Sequence, residues 1–157
     1  MQRVVVVDYG MGNLRSVAKA LGRVAPEVEV VVSGDPALID DADRVVFPGV
    51  GAIRDCMGEL TRRGLVAPLR RAADEKPLLA ICIGMQALMD SSEENGGTQC
   101  LSILPGRVRH FGPDLQGGQG DTLKVPHMGW NGVRQEPHPL WRGIGQDTRF
   151  YFVHSYY

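Results

Sequence analysis

Cys82 is the residue of this chain whose neighbours best equip it for covalent chemistry. It closes the apolar run Leu78-Leu79-Ala80-Ile81 and is followed by Ile83, Gly84, Met85 and Gln86, so strand-forming residues give way to helix-forming ones within one turn. A strand that runs into a nucleophile and straight on into a helix is the layout of a nucleophile elbow, although Ala80 stands where many such elbows carry glycine. Three consequences follow from that layout. The sulfur is lifted above the carboxyl edge of the sheet, where open α/β sheets bind ligands. The helix N-terminus points at the sulfur and favours thiolate. The Ile83 N–H is left free to donate to an oxyanion. The same spacing also suits a buried strand-end thiol, because free cysteine packs like a small hydrophobe. Cys56 and Cys100 have no comparable surroundings and read as packed thiols.

An elbow needs a sheet to stand on. Residues 3–8 hold four consecutive valines ending in Asp8, which suits a strand buried on both faces. After the turn Gly10-Met11-Gly12-Asn13, Leu14, Val17, Ala18 and Leu21 form the stripe of an amphipathic helix. Residues 28–32 and 44–47 read as further strands, the second broken by Pro48-Gly49-Val50-Gly51, with a short helix opening at Asp35-Pro36 between them. Residues 52–73 read as helical, interrupted at Gly64 and at Pro68, which can open a second helix. Residues 78–82 give a fourth strand and 85–89 the start of another helix. Buried strands alternating with helices predict an α/β fold with a doubly wound, mostly parallel sheet. Beyond Gly96 only short strand candidates remain, at 106–111, 130–134 and 149–155, between loops rich in glycine and proline. No linker divides the chain, so 1–157 reads as a single domain.

Composition removes several classes of function. The 157 residues sit near the usual size of one domain. Lys and Arg total 17 against 18 Asp and Glu, a net charge of −1, without the basic excess of a nucleic-acid binder. The start is too short in apolar residues and too early in charge for a signal peptide. The longest mainly apolar stretch, 78–89, falls short of the roughly twenty residues that span a membrane. Three cysteines without a CxxC or Cys/His cluster read as reduced thiols in a cytosol, with neither a disulfide frame nor a metal site. Gly10-Met11-Gly12 invites a dinucleotide reading, but Arg15 occupies the third glycine position.

Cys82-Ile83-Gly84-Met85-Gln86 resembles the C-x-G-x-Q elbow of the class I glutamine amidotransferases. Asp8-Tyr9-Gly10-Met11-Gly12-Asn13, Pro48-Gly49-Val50-Gly51, Lys124-Val125-Pro126-His127-Met128-Gly129-Trp130-Asn131 and Phe150-Tyr151-Phe152-Val153-His154-Ser155-Tyr156-Tyr157 narrow the resemblance to the glutaminase-subunit branch of imidazole glycerol phosphate synthases, over residues 3–157. The resemblance implies a three-layer, flavodoxin-like fold. It implies hydrolysis of the side-chain amide of L-glutamine through a γ-glutamyl thioester, without a cofactor. Ammonia would pass to a (β/α)8-barrel cyclase partner, in histidine biosynthesis. Cys82 matches the nucleophile, Ile83 and Gly51 the oxyanion donors, and Gly49 and Val50 the loop carrying the second donor. Gln86 matches a contact to the substrate amide, Glu94 the partner of the substrate ammonium, and His154, Ser155 and Tyr156 a strand gripping the substrate's backbone groups. His127, Met128, Trp130 and Asn131 match a loop at the partner interface.

One part of the family pattern is missing. The triad is completed by H-x-E, in which His takes the thiol proton and Glu orients His. His110, His127, His138 and His154 all lack Glu two residues on, and His138-Pro139-Leu140 places Leu in the orienting position. The expectation is that the C-terminal piece carrying the base is absent and that this chain is catalytically crippled. A non-catalytic partner-binding or scaffold protein of the same fold is the competing reading.

Overall fold

The computed structural model describes residues 1–118 and 120–157. The chain forms two compact units, Met1–Arg109 and His110–Tyr157, each described by itself. In the first, β1 (Arg3–Val7), β2 (Glu29–Ser33), β3 (Arg44–Gly49) and β4 (Leu78–Cys82) make a parallel sheet in the order β2-β1-β3-β4. Flavodoxin-like sheets share this order, and their ligand crevice opens at the carboxyl ends of the strands around β1 and β3.

The alternation of side chains along a strand explains the valine run. Val4, Val6 and Val46 face one side of the sheet, against Leu14, Val17 and Leu21 of α1 (Leu14–Val24). Val5, Val7, Val45 and Phe47 face the other. There they meet Ile39 of α2 (Pro36–Asp40), Ile53, Cys56 and Leu60 of α3 (Ile53–Arg62), and Leu69 and Ala72 of α4 (Val66–Glu75). Helices on both faces give the expected three-layer, doubly wound α/β fold. Each fully buried valine, leucine or phenylalanine contributes roughly 1.5–3 kcal/mol relative to exposure.

Several boundaries move, for physical reasons. β3 continues through Pro48 and Gly49, because both pair in register with β4, at Ile81 and Cys82. α3 and α4 part at Gly64, and Pro68 sits in the first turn of α4, where its missing N–H costs nothing. The helix expected from residue 85 begins two residues earlier, as α5 (Ile83–Ala87). Ser91-Ser92-Glu93-Glu94, which by itself suggests a solvated helix end, instead enters a small sheet. β5 (Ser91–Ser92) lies between β6 (Thr98–Gln99) and β7 (Arg107–Val108), with a 3-10 turn at Glu94–Gly96. No local apolar pattern marks such two-residue strands.

The second unit is built on an antiparallel ribbon of β8 (His127–Gly132) and β9 (Arg149–His154), with a 3-10 turn at Pro139–Trp141. Among the described residues, no helix is long and apolar enough to cross a membrane.

Candidate active site

Parallel pairing places Cys82 at the carboxyl end of β4, opposite Gly49 at the end of β3. α5 starts at the next residue, so the chain must reverse direction within Cys82 itself. Its backbone does so at φ 55°, ψ −118°, a left-handed conformation that residues other than glycine rarely adopt. This strain is what a nucleophile elbow requires. It turns the side chain outward, and Cys82 is exposed while Cys56 and Cys100 are buried. The expectation of an elbow is therefore met, and the reading of Cys82 as a buried strand-end thiol is not.

The turn closes tightly because two glycines allow it. A Cβ on Gly84 would lie 2.1 Å from the Phe47 carbonyl oxygen. On Gly49 it would lie 2.7 Å from the Gly84 nitrogen and 2.9 Å from Ile83 Cβ. Both clashes are with the elbow or its supporting strand, not with movable side-chain ends. Gly84→Ala is expected to cost more than about 3 kcal/mol of folding stability in a denaturant titration. A loss below about 1 kcal/mol would mean that the β3 backbone can give way.

Gly49, exposed Val50 and Gly51 run from the end of β3 toward α3, with Gly51 at φ +87°. The next element is held from a distance in sequence. Ile53 N–H donates to Glu94 Oε2 at 2.8 Å, Glu94 N–H donates to Ser92 Oγ at 3.2 Å, and the Arg54 guanidinium donates to the Asn95 carbonyl. Ala52 cannot cap α3 with its own side chain, so Glu94 does so across 41 residues. Sequence reasoning missed this cap, for which no local signal exists. Gln86 lies buried in α5, which packs against α3. Cys82, Ile83, Gln86, Gly49, Val50, Gly51 and Glu94 thus all belong to elements that meet at this end of the first unit.

The other two cysteines are chemically quiet. Burial pushes the Cys56 thiol up to about 11 and also raises that of Cys100.

The remaining candidate residues belong to the second unit. His127 and His154 are directly opposed in the ribbon, and Phe152 stacks on His127 with ring centroids 5.1 Å apart. His154 Nδ1 lies 2.9 Å from the Tyr156 carbonyl, and Phe111 N–H donates to the Ser155 carbonyl at 3.1 Å. His110 bridges to Tyr156, its Nδ1 accepting from Gly112 N–H at 2.9 Å. The His138 ring caps the turn at Pro139–Trp141 by accepting from Leu140 N–H at 3.2 Å, a structural task consistent with its poor match to a base. Met128 and Trp130 project from one face of the ribbon beside Val153 and Tyr151, all four exposed, and Asn131 is exposed on the other. Among the described residues, no group of three or more His, Cys, Asp or Glu is placed to hold a metal.

Residues 5–157 match the family of glutamine amidotransferases class-I. The chain belongs to that family. The amidotransferase is 58% identical over 159 residues to the imidazole glycerol phosphate synthase subunit HisH of Methylococcus capsulatus, covering all of this chain and 73% of the relative. It is 60% identical to subunit HisH 1 of Pseudomonas aeruginosa, again over 100% of this chain and 73% of the relative. A crystallised glutamine amidotransferase superimposes with a TM-score of 0.65 at 17% identity, covering 96% of this chain and 70% of that one, which is a likeness of fold.

Proposed function

We propose that this chain is the glutaminase subunit of an imidazole glycerol phosphate synthase, acting on L-glutamine through Cys82. The observation that carries this reading is the strained, exposed Cys82 elbow abutting Gly49. The close identity to HisH subunits supports the choice of substrate and pathway.

The Cys82 sulfur attacks the side-chain amide carbon, forming an S–C bond and a tetrahedral oxyanion. The Ile83 and Gly51 N–H groups stabilise that oxyanion. The C–N bond then breaks, the nitrogen takes up a proton and leaves as ammonia, and a γ-glutamyl thioester remains. Water hydrolyses the thioester to glutamate and restores the thiol. Gly49 and Val50 line the oxyanion loop, and Gln86 contacts the substrate amide. Glu94 receives the substrate ammonium, and His154, Ser155 and Tyr156 hold its backbone groups. His127, Met128, Trp130 and Asn131 form the surface for a (β/α)8-barrel cyclase, which takes the ammonia as part of a lyase complex. Three free cysteines support a reducing cytoplasmic setting.

The 157 residues read as one amidotransferase domain without its catalytic base. All four histidines lie between residues 110 and 157, none in H-x-E, and the unit carrying Cys82 contains no imidazole. The 157-residue chain with its liganded partner is expected to show no measurable glutamine turnover, and adding a segment bearing H-x-E should restore it. Normal turnover by the 157 residues would return His127, His138 or His154 to consideration as the base. The missing base is also what favours the second reading, a non-catalytic partner-binding protein. Trapping of a glutamine-derived thioester on Cys82 separates the two.

A further inference from the structure

The hydroxyl of Tyr9 has no part in the chemistry described above. Tyr9 follows β1 at the carboxyl edge of the sheet and is fully buried, its ring edge-on to Phe47 with centroids 5.5 Å apart. That packing needs only a ring, and phenylalanine would supply it. Yet, among the described residues, the tyrosine oxygen is the one buried side-chain oxygen or nitrogen without a well-directed hydrogen bond, and the contact it does make is to the Cys56 thiol, whose sulfur is a weak acceptor. Buried hydroxyls are paired as a rule, so an exception calls for a reason.

Its surroundings offer one. A Cβ on Gly49 would lie 2.8 Å from Tyr9 Oη, so the hydroxyl faces backbone where the end of β3 meets the elbow. Burial, with Cys56 and Cys82 nearby, holds the phenol in its protonated form and keeps a hydrogen available to donate. Directly after Gly49 come exposed Val50 and Gly51, the latter in a conformation open to glycine. A buried donor therefore sits beneath a short segment that leaves the sheet through an exposed valine and a glycine at positive φ.

We propose that Tyr9 is a positioning residue whose hydroxyl donates to a backbone carbonyl of residues 49–51 when that segment turns an amide toward the oxyanion. The inference rests on the glutaminase reading of Cys82. The hydroxyl touches neither substrate nor thioester. It contributes a hydrogen bond to one of two backbone arrangements, and such a differential contact is what shifts a population between them. The hydroxyl that meets only the Cys56 thiol then belongs to the resting arrangement.

The test compares Tyr9→Phe and Cys56→Ala in the base-bearing subunit, this chain with an H-x-E segment added, assembled with its liganded synthase partner. Tyr9→Phe is expected to lower kcat for glutamine about tenfold, the scale of one hydrogen bond, with KM within about twofold. Synthase activity driven by added ammonia should be unchanged. The thermal midpoint should stay level within about 2 °C, since only a weak contact to the Cys56 sulfur is removed. Cys56→Ala should leave kcat within about twofold of wild type. The proposal is overturned if Tyr9→Phe keeps kcat within about twofold, or if kcat and the thermal midpoint fall together. It is also overturned if Cys56→Ala reproduces the loss, because the hydroxyl then serves the thiol. A base-bearing complex without either substitution that hydrolyses no glutamine would sink the glutaminase reading itself, so the two failures are distinguishable.

Discussion

Cys82→Ala in the partner-assembled chain carrying an added H-x-E segment should lower glutamine-dependent ammonia production by about four orders of magnitude or more. Synthase activity driven by added ammonium salt should remain at its wild-type level, because the substitution removes the source of ammonia and leaves its consumption alone. The physical basis is that no other thiol can substitute. Cys56 is buried and its thiol is pushed up to about 11, so only about one molecule in a thousand carries a thiolate there at pH 8. Cys100 is buried too, with its thiol raised for the same reason. A glutamine-mimicking electrophile should accordingly label Cys82 well ahead of both, as read by peptide mapping. Even labelling of the three, or label mainly on Cys56, would remove the enzyme reading. Retained glutamine use by the alanine variant would do the same.

Glutamine hydrolysis by the subunit carrying an added H-x-E segment should rise by orders of magnitude, on the scale of about a hundredfold or more, when the synthase partner is both present and bound to its own substrate. A glutaminase running without an acceptor would waste glutamine and release ammonia. Withholding the second oxyanion donor until the acceptor site is filled prevents this, and the loss of one such donor typically costs about 10²–10³ in rate. The segment 49–51 is where such a device would act, with Gly51 at φ +87° and Val50 exposed. Trp130 and Asn131, exposed on the ribbon, are expected to report the partner's presence. Substitution at either should change the ratio of stimulated to basal rate more than it changes folding stability. Equal rates with and without the liganded partner would leave a stand-alone hydrolase as the better account.

The division of labour between sequence and fold can be followed residue by residue. The four valines of β1 announce a strand buried on both faces because burial on two sides imposes an unbroken apolar run. The Leu14, Val17, Leu21 stripe announces α1 because a helix with one wet face must place its apolar residues three or four positions apart, which at about 100° of rotation per residue keeps them on one side. Cys82 and its neighbours announce the strand-to-helix elbow because an elbow constrains adjacent residues, and adjacent residues are what a sequence displays. Where a role depends on partners distant along the chain, the sequence is silent. Glu94 caps α3 from 41 residues away, and Ser91–Ser92 becomes a strand only by lying between β6 and β7. β3 reaches through Pro48 and Gly49 because β4 is there to pair with it. Tyr9 shows this most plainly. Read in sequence it is one more aromatic after a strand. Only the folded sheet brings its hydroxyl beneath Gly49, 40 residues on, and beside the Cys56 thiol, because side-chain environment is set by which strand ends the topology brings together.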